Sequence, residues 1–352
     1  MKVLHLVSER EYSGTSAVVI GLTLKLKKQF KLGYMKPLGF LPKKVNNSLV
    51  DADALFMREL LNLKESQETV CPVVITSQTY ESALTGGKEE LKKKITIAFN
   101  KICANKDLVI VEGAWNAKQG KFLGLSSEKI AQLFDSTVIT VERFDESDLI
   151  DRIIESKEKF GEKLAGTILN IVPNHKIDEA NNIRKYLKEY NIPILGVIPF
   201  LNILNSTSVE QLISHLHGKL LCAKEKTDNL VETVLVGAMS QEHSLSIFRK
   251  KKNFAVVTGG DRSDIHVAAI NAGAKCLILS GGYEPEAVIL SKAEEANIPV
   301  IFVDTDTFTT AENAEWLVAH ARAHEPEKLN KLEEIISEHI DFPTIFKIIG
   351  KS

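Results

Sequence analysis

Residues Ser8 to Leu22 read SEREYSGTSAVVIGL, directly after the apolar run Val3 to Val7 and directly before a helical pattern. A loop that leaves a strand and opens a helix aims backbone N–H groups and the positive end of the helix at a phosphate. Within it, Gly14 lets the backbone approach a ligand closely, and Ser16 offers a hydroxyl to Mg²⁺. Position 15 is where a lysine would neutralise the outer phosphates, and Thr15 stands there. Threonine carries no charge, so the loop keeps the outline of an anion site with less power to stabilise a transferring phosphoryl group. The alternative reading of the same residues is a serine-capped helix following a strand.

Three further stretches place charged groups beside this loop. In GYMKPLG, Lys36 follows the second strand. In SLVDADALF, Asp51 and Asp53 open a helix, as caps or as Mg²⁺ ligands. DLVIVEGAWN ends an apolar strand in Glu112 and Gly113. All lie at the carboxyl ends of strands, where ligands bind in open α/β sheets. The candidate nucleotide-binding residues are Ser13, Gly14, Thr15, Ser16, Lys36, Glu112 and Gly113. The candidate Mg²⁺ ligands are Ser16, Asp53 and Glu112, and the expected cofactor is ATP or another nucleotide with Mg²⁺. A second set comprises Gly260, Asp261, Arg262 and Ser263 after one strand and Gly281 and Gly282 after the next. Asp261 is placed to cap the following helix. Arg262 offers a fork of donors for a carboxylate or phosphate, or an ion pair to Asp264 or Asp304. Asp306 or Thr307 reads as a helix cap rather than part of a metal site.

The elements that must position these residues alternate. Strands are predicted at Val3–Val7, Lys31–Met35, Leu108–Val111, Ser136–Val141, Leu164–Ile171 and Ile194–Ile198, with amphipathic helices over Lys88–Asn105, Glu146–Lys159 and Asp178–Tyr190. This order gives an α/β fold, a doubly wound and mostly parallel sheet covered by helices on both faces. The pattern resets at LNSTSVEQL, with Ser206 or Ser208 as an N-cap. It then continues through Val234–Val236, Phe254–Thr258, Cys276–Leu279 and Val300–Val303 as a second, smaller α/β domain. The domains are expected at 1–206 and 207–325. Residues 326–352 form a charged helix and an apolar tail that packs on its own chain or on a symmetry mate.

Composition narrows the function. Lys+Arg 44 against Asp+Glu 46 leaves a net charge of −2, and no basic patch is interleaved with aromatics, which argues against a nucleic-acid partner. Cys71, Cys103, Cys222 and Cys276 show no metal-ligand spacing and read as small apolar residues of a reducing compartment. The histidines form no triad or metal spacing, His320 and His324 included. No leader and no run of about 18 apolar residues is found, so a cytoplasmic protein without membrane contact is expected.

Residues 1 to about 205 resemble the dethiobiotin-synthetase-like P-loop fold, of the AAA type, and more closely the version at the N-terminus of long phosphotransacetylases. The resemblance is carried by YSGTSAVVIGL, GYMKPLG, DADALFMRELL, VCPVVIT, VIVEGA, GTILNIVP and IPILGVIPF. It implies nucleotide, substrate and Mg²⁺ roles for Ser16, Lys36, Asp53 and Glu112, while the loop lysine has no counterpart and Ser8 replaces a glycine. Residues 207 to 325 resemble the DRTGG domain, with Asp261-Arg262-Ser263 and Gly281-Gly282 as its signature. Similar domains are accessory and regulatory, often at dimer contacts. No acyl-transfer domain is seen after residue 325, so acetyl transfer by this polypeptide alone is not expected. The favoured function is a regulatory or sensor protein, in which a degenerate nucleotide-binding domain is coupled to a ligand-sensing or dimerising DRTGG domain. An ATP- and Mg²⁺-dependent ligase of the dethiobiotin synthetase type is the alternative, and a structural partner of a separate acyltransferase is a third. The expected partners are a second copy of the chain, a small anionic ligand or nucleotide, and a separate metabolic enzyme.

Overall fold

A computed structural model describes residues 1–45, 48–145, 147–319 and 326–350, so His320 and His324 lie outside the described residues. The chain divides into two units, Met1–Phe200 with Leu329–Ser352, and Leu201–Lys328.

In the first unit six short β-branched runs form strands β1 (Lys2–Val7), β2 (Leu32–Met35), β3 (Leu108–Glu112), β4 (Thr137–Arg143), β5 (Leu164–Val172) and β6 (Ile194–Pro199). Their order is β6-β5-β4-β1-β3-β2 and every pair is parallel. Such a sheet must be covered on both faces, which is why β3 is buried along its whole length. The order departs in both directions from β1, and this opens a crevice at its carboxyl end. Helices α1 (Thr15–Leu26), α2 (Ala52–Leu60) and α3 (Leu149–Phe160) bring residues to that edge. Sequence periodicity did not show the hairpin of Pro42–Val45 with Ser48–Asp51, because its first strand is nearly all exposed and has no apolar alternation.

The second unit has β7 (Lys219–Cys222), β8 (Thr233–Val236), β9 (Phe254–Gly259), β10 (Cys276–Ser280) and β11 (Val300–Phe302), in the order β7-β11-β10-β9-β8. The β7–β11 pair is antiparallel and the others are parallel. Side chains alternate across the sheet. Ala255, Val257, Cys276 and Ile278 enter one core, and Phe254, Val256, Leu277 and Leu279 enter the other. Helix α4 (Ser263–Asn271) follows β9.

Most of the C-terminal segment, Leu329–Ser352, belongs to the first unit. Helices α5 (Pro326–His339) and α6 (Phe342–Ile348) complete the first unit, apart from the first residues of α5. Ile336 of α5 occupies the space over Gly21 of α1, where any Cβ would overlap it. Ile340 bridges Gly196 of β6, and Asp341 N donates to Leu195 O at 2.8 Å. Among the described residues no helix is long and apolar enough to cross a membrane.

Candidate functional site

The loop between β1 and α1 is held by its own polar side chains. Ser8 Oγ donates to Arg10 O (3.0 Å) and lies 3.2 Å from Trp115 O, and Ser13 Oγ donates to Arg10 O (2.9 Å). Gly14 has φ +75°, and a Cβ there would overlap Asn170 Nδ2, which donates to Ser13 O at 2.9 Å. Glycine is therefore required twice over, for conformation and for space. Helix α1 begins with no side-chain cap and no acidic residue in its first turn, and the Thr15 hydroxyl is buried without a partner. The serine cap offered as the alternative reading of this loop is absent. The first-turn N–H groups of a helix have no intrahelical partner, and an uncapped end of this kind can accept an anion.

Beneath the loop lies a buried ionic cluster. Lys36 Nζ is 3.0 Å from Asp51 Oδ1, 2.9 Å from Asp53 Oδ2 and 3.8 Å from Glu112 Oε1. Lys36 is 1% exposed. Burial opposes its charge, but Asp53, Glu112 and Asp51 outweigh that and hold its pKa above the ordinary lysine value. Glu112 accepts from Ser16 Oγ (2.7 Å) on one oxygen and from Tyr34 OH (2.6 Å) on the other. Burial pushes its pKa up against the opposing pull of Lys36. Asp51 is the helix cap, accepting from the N–H groups of Asp53 and Ala54, while its other oxygen accepts from Phe40 and Leu41. Gly113 is fixed by packing, since a Cβ there would press on Leu6 O and Val7 of β1.

The structure thus brings Ser16, Lys36, Asp53 and Glu112 into one connected group. The Ser16 hydroxyl and the Glu112 carboxylate stand side by side, and hard oxygen donors of this kind suit Mg²⁺, which takes few protein ligands. Among the described residues, however, no group of three or more His, Cys, Asp or Glu is arranged to hold a metal. Lys36 occupies the position between the acidic groups.

In the second unit the glycines interlock two turns. A Cβ on Gly260 would overlap Tyr283 O, and Gly281 and Gly282 have φ +82° and +72°. Arg262 donates to both oxygens of Asp264 (3.0 and 3.1 Å) and to Met239 O (2.9 Å), so of its two readings the ion pair is the one observed. Ser263 Oγ donates to Glu286 Oε1 at 3.0 Å. Asp261 does not cap α4. The N-cap position is Arg262, without a side-chain cap, and Asp261 leans back over Gly259. Asp306 does act as a cap, accepting from Thr309 N at 3.0 Å.

The sequence of the chain matches two family models. An AAA domain model covers residues 2–208 and a DRTGG domain model covers residues 211–317. The chain belongs to this AAA-domain family. It is 25% identical over 94% of its length to a phosphate acetyltransferase of Pseudomonas aeruginosa, and 24% identical over 97% to that of Deinococcus radiodurans. It covers 49% and 50% of these proteins, so it spans about half the length of the curated relatives it matches. A crystal structure of the CBS and DRTGG domains of Clostridium perfringens pyrophosphatase, complexed with the activator diadenosine tetraphosphate, aligns with 45% of this chain and 76% of that one. The identity is 25% and the TM-score is 0.30.

Four residues escaped sequence reasoning. Tyr34 and Asn170 are polar side chains in apolar strands, visible as interruptions but not assignable without their partners. His5 sits at the centre of β1, 1% exposed, and burial lowers its pKa to about 3. With Glu112, Gly113 and Ser127 it lines a recess with room for about one water. His266 is buried on α4 with Nε2 2.9 Å from Gly259 O.

Proposed function

We propose that this chain is a regulatory nucleotide- or polyphosphate-binding protein that binds without turnover. The observation that carries this reading is the state of the cations. Thr15 replaces the loop lysine, and Lys36, the obvious substitute, is held by Asp51 and Asp53 at 3.0 and 2.9 Å. The helix end carries no capping side chain, yet Thr15 is uncharged and Lys36 is engaged by carboxylates, and catalysis suffers from that more than binding does. If Mg²⁺ enters with the nucleotide, Ser16 and Glu112 are the residues to hold it. The metal would neutralise phosphate charge, and Asn170 and Gly14 would keep the loop in shape. The DRTGG unit serves as the coupled sensing or dimerising module, in a homodimer in the cytoplasm. Activation of a pyrophosphatase through its CBS and DRTGG region by a dinucleotide is consistent with such a role. A separate metabolic enzyme would be the target.

The convergence of Ser16, Lys36, Asp53 and Glu112 favours a second reading, an ATP-dependent ligase in which Lys36 leaves Asp51 during the reaction. Calorimetric titration with ATP, ADP and AMP, with and without Mg²⁺, and product analysis of the same samples separates the two. Binding with unchanged nucleotide is the expected result, and Thr15→Lys should tighten ATP binding on the order of tenfold. Turnover by the wild-type chain would replace this reading with the ligase, and no tightening in Thr15→Lys would count against a phosphate in the loop.

A further inference from the structure

The loop that lacks lysine carries one basic side chain, Arg10. Its backbone carbonyl accepts from both Ser8 Oγ and Ser13 Oγ, which anchors its Cα within the loop. Its guanidinium is 48% exposed and donates to Asp145 Oδ2 (3.2 Å) and Asp148 Oδ2 (2.5 Å). Both carboxylates have a second cation. Arg152, 6% exposed at its side chain, donates to Asp145 Oδ2 at 3.0 Å and to Asp148 Oδ1, and its Nε holds Glu142 Oε2 at 3.1 Å.

This double engagement sets Arg10 apart from Lys36. Withdrawing Lys36 would strand buried carboxylates, which is costly. Arg10 can leave Asp145 and Asp148 with each still paired to Arg152, and an exposed ion pair is a weak tether. We propose that Arg10 is the loop's phosphate-binding cation: its guanidinium passes from Asp145 and Asp148 to the outer phosphate oxygens of a di- or triphosphate, the place that Thr15 cannot serve. The guanidinium fork matches two phosphate oxygens. The Thr15 hydroxyl, on the residue that follows Gly14, is buried without a partner. The inference rests on the reading of the loop as a phosphate site and names the residue that makes it one.

The test is calorimetric titration of the full chain with inorganic pyrophosphate and with ATP, each with Mg²⁺, for the wild type, Arg10→Ala, Arg10→Gln and Arg10→Lys. All three variants keep the backbone carbonyl that Ser8 and Ser13 bind, so a loss reports the guanidinium and not the loop. Affinity should fall on the order of tenfold in Arg10→Ala and Arg10→Gln and return in part in Arg10→Lys. Arg10→Gln keeps most of the stem, so its affinity decides the matter should the alanine variant melt early. Wild-type binding undiminished in Arg10→Gln would overturn the assignment and leave the phosphate-site reading standing. No binding of either probe by the wild type would overturn both.

Discussion

At the scale of the residue, burial sets the protonation of His5. A histidine on the central strand, fully buried, is held neutral because desolvation penalises its charged form and lowers its pKa to about 3. The unfolded chain binds a proton near pH 6.5 and the folded chain does not. The stability that His5 contributes is therefore complete above about pH 6.5 and is lost as pH falls from there toward 3, at up to about 1.4 kcal/mol per pH unit. Denaturant unfolding measured at pH 7.0 and pH 5.0 should show the wild type losing more stability than His5→Gln. Parallel losses would show that the proton is taken up elsewhere. Thr15, Gly14 and Ser16 were assigned to the loop from their order alone, since their positions follow from the strand-to-helix turn. Asn170 was not, because its bond to Ser13 O joins residues 157 positions apart.

At the scale of the element, the cluster under the loop ties β2, β3, α1 and α2 together through Lys36, Glu112, Ser16 and Asp53. One ammonium serves three carboxylates, so it holds these elements only while intact. Lys36→Met removes the charge and keeps much of the volume. It should destabilise the first unit by about 3–5 kcal/mol, because Asp51, Asp53 and Glu112 are left buried without their cation. Chemical denaturation checks this, and a loss below about 1 kcal/mol would mean that the carboxylates take up protons without strain. That Lys36, Asp51 and Glu112 lie near one sheet edge was legible from their places at strand and helix ends. That Lys36 is locked rather than available was not, because the sequence contains each charge but not the distances between them. The same limit applied to Arg262, whose fork could equally meet a ligand or Asp264.

At the scale of the molecule, the C-terminal residues belong to the first unit. Leu332, Ile335, Ile336, Phe342 and Ile345 are all buried, and Ile336 covers Gly21 of the helix that follows the loop. Deleting residues 329–352 uncovers α1 and the Gly196 edge of β6. Scanning calorimetry should show a lower melting temperature for the transition of the first unit. An unchanged melting profile would show that the tail adds nothing to that core. The apolar residues of the tail predicted packing on its own chain or on a copy, but which surface they cover depends on a glycine more than 300 positions earlier.

The sequence alone determined that this is a two-part α/β protein with a phosphate-type loop missing its lysine. Strand and helix periods, glycine turns and apolar runs are local properties, and those positions are close in the chain. Tertiary structure decided the allocation of charge: Lys36 to Asp51 and Asp53, Arg262 to Asp264, and Arg10 to two carboxylates that also have Arg152. The physical reason is that a charge's role depends on its neighbours within a few ångströms and on their burial. Parallel strands joined by crossovers bring together neighbours from far along the chain.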